Sequence, residues 1–313
     1  MATKFIIDTD PGIDDALAIA CAFADPQIEV LALTSVFGNA SVTQTTENAL
    51  RILEVLEQDV PVYPGAHRPL TMPAKDFPAF VHGENGLGNI PQPKAKRQPE
   101  PISAAQYIVN AANQYPGEIT IVALGPLTNL ALAVALDPTV AQKIKRVVSM
   151  GGNLHVPGNV SAAAEANIYC DPDSADQVYN AGWPVSVVGL DVTHQVTTTI
   201  EYFEQLEKKQ PIVGKFLHQI TRFYMDFYQD CYQIDGCHIH DSSAIACATH
   251  PEWFGMESGQ LRVVCDGECK GKLLLHKDAG YIHKFNPWLE KPEVDVAVTV
   301  DVKAISNWLD TIF

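Results

Sequence analysis

Asp8, Asp10, Asp14 and Asp15 place four carboxylates within the stretch Asp8-Thr9-Asp10-Pro11-Gly12-Ile13-Asp14-Asp15. An apolar run, Phe5-Ile6-Ile7, precedes them and another, Ala16-Leu17-Ala18-Ile19-Ala20, follows, so the acids sit where a strand hands over to a helix. Like charges a few ångströms apart repel, and each loses solvation where it faces a cleft. A hard divalent cation relieves the conflict, because carboxylate oxygens are its preferred ligands. A helix starting near Asp14 adds free N–H groups and a favourable dipole. Ordinary capping, with Asp14 as N-cap and Asp15 in the first turn, accounts for one or two of these acids but not for four. The stretch is read as a metal or acid–base site.

The elements that position such a site follow from periodicity. A helix at Ala16–Ala24, apolar nearly all round and hence buried, leads to a strand at Ile28–Val36 that leaves Asn39 just past its end. Helical spacing over Thr43–Glu57 and a short strand at Val60–Tyr63 come next. After residue 101 the alternation resumes: a helix at Ala104–Gln114, a strand at Ile119–Leu124 running into Gly125-Pro126-Leu127-Thr128-Asn129, and a helix at Leu130–Leu136. Strands at Val147–Met150 and Val185–Leu190 flank a helix at Ser174–Ala181. Val213–Tyr232 reads as one long helix, with residues 216, 220, 223, 227 and 231 on a buried face and Tyr224 and Tyr228 in a stripe beside it. It leads into Cys237-His238-Ile239-His240-Asp241 and a helix at Ser242–Ala248. Strand-like runs over Leu261–Val300 and a closing helix at Val302–Leu309 complete the chain.

Unpatterned apolar strands alternating with helices predict an α/β fold: an open, mostly parallel, doubly wound sheet with helices on both faces, in one domain spanning 1–313. Ligands bind such sheets at the carboxyl ends of the strands. The Asp cluster, Asn39, the turn after Leu124 and His240-Asp241 are therefore predicted to share one edge. Two irregular stretches stand out. Residues 68–101, with His82-Gly83-Glu84-Asn85-Gly86-Leu87-Gly88, have the length of a functional lid, although a tolerated surface insertion explains the Pro-rich part equally well. Gly158 to Asn167 offers Asn159, Glu165 and Asn167, an amide and carboxylate set suited to a ligand with several hydroxyls, such as a sugar.

Composition narrows the partners. Hydrophobic residues make up 47% and charged residues 19% of 313, a globular balance. The net charge is −16 and the densest basic run, Lys94-Ala95-Lys96-Arg97, is too short to offset it, which argues against a nucleic acid polymer or an anionic membrane as partner. No run reaches the roughly 18 apolar residues of a membrane span, and Met1-Ala2-Thr3-Lys4 leads directly into a strand without a secretory or transit segment. Seven cysteines without paired Cys-x-x-Cys spacing suggest reduced thiols and a cytoplasmic protein.

The ordered set Asp8–Asp15, Phe37-Gly38-Asn39, Val81-His82-Gly83-Glu84, Gly125–Asn129, Met150-Gly151-Gly152, Ala164-Glu165-Ala166-Asn167, Asp171-Pro172, Gly189-Leu190-Asp191-Val192-Thr193 and His240-Asp241 resembles the inosine–uridine-preferring nucleoside hydrolases over nearly the whole chain. The resemblance implies hydrolysis of the N-glycosidic bond of purine or pyrimidine ribonucleosides, with one calcium ion per subunit and a homodimeric or homotetrameric assembly. It implies that Asp10, Asp15, Asp241 and the backbone carbonyl of Leu124 hold the calcium, and that Asp10 takes a proton from the attacking water. Asp14, Asn39, Met150, Asn159, Glu165 and Asn167 fall to substrate binding, chiefly of the ribose hydroxyls. His82, Tyr224 and Tyr228 lie on the nucleobase side, with Tyr224 and Tyr228 on a mobile helix at 213–232, and His240 assists the departing base. Negative side chains around the sugar favour an oxocarbenium-like transition state.

Two features depart from the family pattern. Ala166 stands where an aromatic residue is usual, and Cys265–Lys277 lacks the usual Gly-Thr pattern. Two other readings compete. A strand ending in Asp-x-Asp also opens phosphatases of the haloacid-dehalogenase type, although Pro11-Gly12 departs from their pattern, and a non-catalytic nucleoside sensor would keep the hydroxyl-binding residues. Gly151-Gly152 after a strand is too sparse for a dinucleotide fingerprint.

Overall fold

Phe5, Ile6 and Ile7 are all fully buried, and they alternate between two cores: Phe5 and Ile7 pack on one face of the sheet, Ile6 on the other. The same split recurs where Val122, Val148 and Val188 join the first core and Ile121, Val147 and Val187 the second. Because side chains alternate across a strand, an uninterrupted apolar strand demands cover on both faces. Helices supply that cover.

The computed structural model describes residues 2–74, 76–277, 288 and 290–313. Its elements run β1 (Thr3–Thr9), α1 (Ile13–Ala24), β2 (Ile28–Ser35), α2 (Val42–Val55), β3 (Val62–Pro64), α3 (Ala79–His82), α4 (Ala104–Gln114), β4 (Ile119–Ala123), α5 (Thr128–Leu136), β5 (Arg146–Met150), α6 (Ala166–Cys170) and α7 (Pro172–Tyr179). They continue with β6 (Val185–Val188), α8 (Leu190–Thr193), β7 (Thr197–Thr198), α9 (Ile200–Lys209), α10 (Val213–Tyr232), β8 (Cys237–His238), α11 (His240–Thr249), β9 (Phe254–Val263), β10 (Leu273–His276), β11 (Glu293–Val300) and α12 (Val302–Ile312).

Among the described residues one sheet has the order β10-β9-β11-β6-β5-β4-β1-β2-β3. Pairing is parallel from β3 through to β11, and β9 runs antiparallel to both β11 and β10. Helices α1, α2, α10, α11 and α12 bury their apolar residues on one face; α4, α5 and α7 do so on the other. The chain moves outward from β1 through β2 to β3, then returns to β4 on the opposite side of β1. That reversal opens a crevice at the carboxyl ends of β1 and β4, the place where open α/β sheets bind ligands.

Several expectations need correction. Gly12, not Asp14, is the N-cap of α1; Asp14 and Asp15 both lie in its first turn, and Asp15 Oδ2 reaches back to accept the Gly12 N–H at 2.9 Å. On α10 the buried residues are Gly214, Phe216, Leu217, Ile220, Thr221, Tyr224 and Tyr228, so Tyr224 and Tyr228 belong to the buried face while Cys231 is exposed. The stretch read as irregular around Glu165 ends in the short helix α6, which Glu165 caps. Residues 278–287 and 289 of the strand-like region at Leu261–Val300 lie outside the described residues.

Candidate active site

Asp10 ends the chain's exit from β1 and is 1% exposed. Its Oδ2 accepts the Asn39 backbone N–H at 2.8 Å, while Oδ1 is buried without a hydrogen-bond donor among the described residues. A Cβ added to Gly38 would fall 1.9 Å from Asp10 Oδ2, so the loop after β2 passes this carboxylate as bare backbone. Asp15 is better satisfied: Oδ1 accepts from Thr9 Oγ1 at 2.5 Å, and Oδ2 from Gly12 N at 2.9 Å and Asn39 Nδ2 at 3.0 Å. Asp14 Oδ2 accepts from the Tyr224 hydroxyl at 3.2 Å, and its Oδ1 has no hydrogen-bond partner, lying 3.9 Å from His82 Nδ1. Asp241, at the start of α11, comes from the far end of the chain to join them. One oxygen each of Asp14, Asp15 and Asp241 lie within 4.8 Å of one another.

Burial raises every one of these acids. Asp14 and Asp15 are pushed up to about 6, by desolvation first and, for Asp15, by the Asp14 charge next. Desolvation followed by the charge of Asp15 holds Asp10 well above the usual carboxylate range. Asp241 is raised likewise by desolvation, then by Asp14, Asp15, Asp10 and Glu165. An all-oxygen donor set, two oxygens lacking donors and mutual repulsion together match a hard cation such as calcium. The trio closest to one another includes Asp14 rather than Asp10, so Asp14 joins the candidate ligands that the sequence suggested.

Asp8 stands outside this group. Its Oδ1 accepts from Thr34 Oγ1 at 2.6 Å and Asn129 Nδ2 at 2.8 Å, tying β1 to β2 and to the start of α5.

A chain of hydrogen bonds leads from the acids toward the other end of the cleft. Tyr224 donates to Asp14, Tyr224 and Tyr228 hydroxyls lie 3.3 Å apart, Tyr228 is 2.8 Å from His240 Nε2, and His240 Nδ1 is 2.7 Å from Thr193 Oγ1. Each phenol has one proton. With Tyr224 donating to Asp14, a hydrogen bond between the two phenols needs Tyr228 as donor, and Nε2–H of His240 then donates to Tyr228. In the neutral ring this is its one proton, so the Thr193 hydroxyl donates to Nδ1. The pKa of His240 accords with that neutral ring: desolvation, then His238 and His194, push it well below the usual value. His82 is also neutral, lowered to about 4 by burial; its Nδ1 accepts the Ile13 N–H at 3.2 Å and its ring stacks 5.3 Å from Tyr224.

The third wall comes from α6. Asn167 Nδ2 donates to the carbonyls of Leu124 at 2.7 Å and Met150 at 3.2 Å, joining the ends of β4 and β5. The Leu124 carbonyl retains a second lone pair. Both Glu165 oxygens are taken by backbone N–H groups, Oε1 by Asn167 and Oε2 by Gly152 and Ile168. Asn159 is exposed, and its Oδ1 accepts the Ala166 N–H at 3.0 Å. Most of the nominated residues therefore converge on one cleft, while Asn159 supports the loop at its rim. Sequence reasoning gave no role to Thr9 or Thr193, although both fall inside motifs it singled out. Nor did it name Asn48, whose Nδ2 donates to the Pro11 and Asn85 carbonyls, both at 2.9 Å.

The comparisons with known proteins agree over the full length. The family model described as inosine-uridine preferring nucleoside hydrolase matches residues 5–307. A probable uridine nucleosidase 2 of Arabidopsis thaliana is 43% identical over 304 residues, covering 96% of this chain and 94% of the relative. The inosine-uridine preferring nucleoside hydrolase of Crithidia fasciculata is 34% identical with the same coverage. A solved plant nucleoside hydrolase, PpNRh1, superposes with a TM-score of 0.96 at 41% identity over 100% of this chain and 99% of its own.

Proposed function

Since the chain belongs to the inosine–uridine preferring nucleoside hydrolase family, we propose that it cleaves the N-glycosidic bond of uridine and inosine to free base and ribose, using the acidic cleft at the ends of β1 and β4. The observation that carries this assignment of the site is the buried carboxylate cluster with donorless oxygens on Asp10 and Asp14, set beside a neutral His–Tyr chain. Phosphatase chemistry and a non-catalytic sensor give way to a hydrolase acting on N-glycosyl bonds.

Asp10, Asp15, Asp241 and the Leu124 carbonyl would hold one calcium ion per subunit, with Asp14 close enough to share the load. When bound, calcium supplies Lewis-acid activation of a water and an anchor for substrate hydroxyls. Asp10 Oδ1, free of donors, takes the proton from the attacking water. Asp14, Asn39 and Asn167 grip the ribose hydroxyls, with Glu165 and Met150 shaping the wall and Asn159 bracing it. The carboxylates stabilise positive charge developing on the sugar. As the base departs, the single proton of Tyr228 would turn from Tyr224 to the base while Nε2–H of His240 goes on donating to Tyr228, and His82 closes over it. Every one of these base-side groups is nearly sealed from water, so entry requires the lid within 68–101, or α10, to move.

The decisive experiment is a panel of purine and pyrimidine nucleosides assayed with and without a calcium chelator. Release of base and ribose from uridine and inosine, lost on chelation and restored by calcium, is the expected result. Binding of either nucleoside without release would overturn it. A homodimer or homotetramer, measurable by light scattering, completes the reading. A cytoplasmic location, in keeping with seven free cysteines, is part of the same proposal; among the described residues no helix is long and apolar enough to cross a membrane.

A further inference from the structure

The basic run Lys94-Ala95-Lys96-Arg97 has no part in the hydrolytic site, yet the fold gives it a definite place. Residues 92–99 cross α2, and a cavity of about 670 Å³ lies between them. Arg51 of α2 lines it together with Lys94 and Arg97, and the amides Gln44, Gln92 and Gln98 add polar groups. In a chain of net charge −16, three cations line this cavity with one carboxylate, Glu47, whose Oε1 already accepts the Ala95 N–H at 2.5 Å; outside the lining, Glu54 pairs with Arg51 and the exposed Asp59 with Arg97. Arg97 is fixed by the Gln58 and Val60 carbonyls at 3.1 and 2.7 Å. Arg51 pairs with Glu54 through one Nη, but its Nε is buried and has no acceptor among the described residues.

A buried guanidinium N–H without an acceptor is costly, and an oxyanion is the ligand that guanidinium geometry serves best. The volume lies within the range of small-molecule sites. Phosphate oxygens would meet the cations, while the three amides suit the hydroxyls or ring atoms of an attached organic group. We propose that this cavity is a second ligand site, separate from the acidic cleft, for a small organic phosphate about the size of a mononucleotide. Asn48 places it one hydrogen bond from the catalytic loop, through the Pro11 carbonyl.

The test is isothermal titration of the intact protein, at low salt, with uridine 5′-monophosphate, ribose 5-phosphate and inorganic phosphate. At least one of the two esters is expected to bind with a Kd below about 1 mM. Arg51→Gln should weaken that binding roughly tenfold, the loss of one charge-assisted contact, while uridine turnover without phosphate stays unchanged. Lys94→Gln, an exposed change that does not threaten the fold, should weaken it severalfold and serves if Arg51→Gln folds poorly. Failure of both esters to bind overturns the proposal. So does equal affinity in the wild type and both variants, which would put the phosphate in the acidic cleft. Inorganic phosphate binding as tightly as the esters would overturn the organic character of the ligand.

Discussion

Asp10 and Asp14 each keep one buried carboxylate oxygen without a donor, and the two are asked for different work. Replacing Asp10 by Asn keeps the shape and the Asn39 contact but removes the proton acceptor, so kcat should fall by about 10³. The same change removes one of several mutually repelling charges, and in chelator the variant should melt above the wild type, a trade of activity against stability. Steady-state kinetics and a thermal melt on one preparation check both halves. On the base side, His240→Ala should lower kcat/KM for inosine by about 10² and Tyr228→Phe by less; unchanged inosine turnover in His240→Ala would remove His240 from leaving-group assistance. The acids and histidines of this site were legible in the sequence because each sits in a compact local motif at an element boundary. Their partners were not. Thr193 meets His240 across 47 positions and Asn48 meets Pro11 across 37, and no periodicity encodes such reach.

Gly88 joins two elements that the catalytic residues depend on, the lid turn after His82 and the helix α10. Its φ is +65°, a region that costs an L-residue strain, and an added Cβ would lie 2.7 Å from the Ile220 carbonyl and 3.1 Å from Phe223 Cβ. Gly88→Ala should therefore push the turn off α10, raise KM severalfold with a smaller change in kcat, and cost about 1 kcal/mol or more of stability. Parallel kinetics and denaturant titration separate this from a general loss of fold, which would lower the active fraction without moving KM. The segment 68–101, proposed as a lid, is pinned at both ends: Leu70 N and Thr71 Oγ1 donate to Asp171 and Asp173, and the Ala95 and Lys96 N–H groups donate to Glu47 and Glu54. Movement of the proposed lid is therefore expected in its middle, around α3. Strand and helix alternation was readable because the core elements are locally apolar at one period. The antiparallel β9 was not, since strand direction depends on a partner. The buried stripe of α10 was misassigned for the same reason: α10 packs on α9, on α1 and on the lid helix α3 at once, and periodicity alone cannot say which of several apolar stripes each neighbour takes.

For the whole molecule, the acidic cluster makes stability a function of pH and, through the proposed metal site, of calcium. In the unfolded chain these carboxyls ionise near the ordinary value, whereas in the fold Asp14 and Asp15 keep their protons up to about 6 and Asp10 and Asp241 are raised as well. Between those limits the folded state binds more protons, so its stability falls as pH rises through about 6. Calcium bound at the proposed site would reverse this, because it would bind the ionised carboxylates and compete with protons for them. Histidines complicate a plain pH scan: His82 and His238 are lowered to about 4 by burial, so their contribution is lost as pH falls from the unfolded value near 6.5. Comparing calcium with chelator at each pH cancels that contribution to first order, since neither histidine is assigned to the cation. At a calcium concentration of about 100 times Kd the ion should add about 2.7 kcal/mol, or about 5 °C for a chain of this size. The expected result is a calcium-induced rise in Tm of that order at pH 8 that shrinks toward zero at pH 5. An increment that stays constant across the range would mean that the cation does not bind through these carboxylates, and an increment in the Asp241→Asn variant equal to the wild type would remove Asp241 from the ligand set.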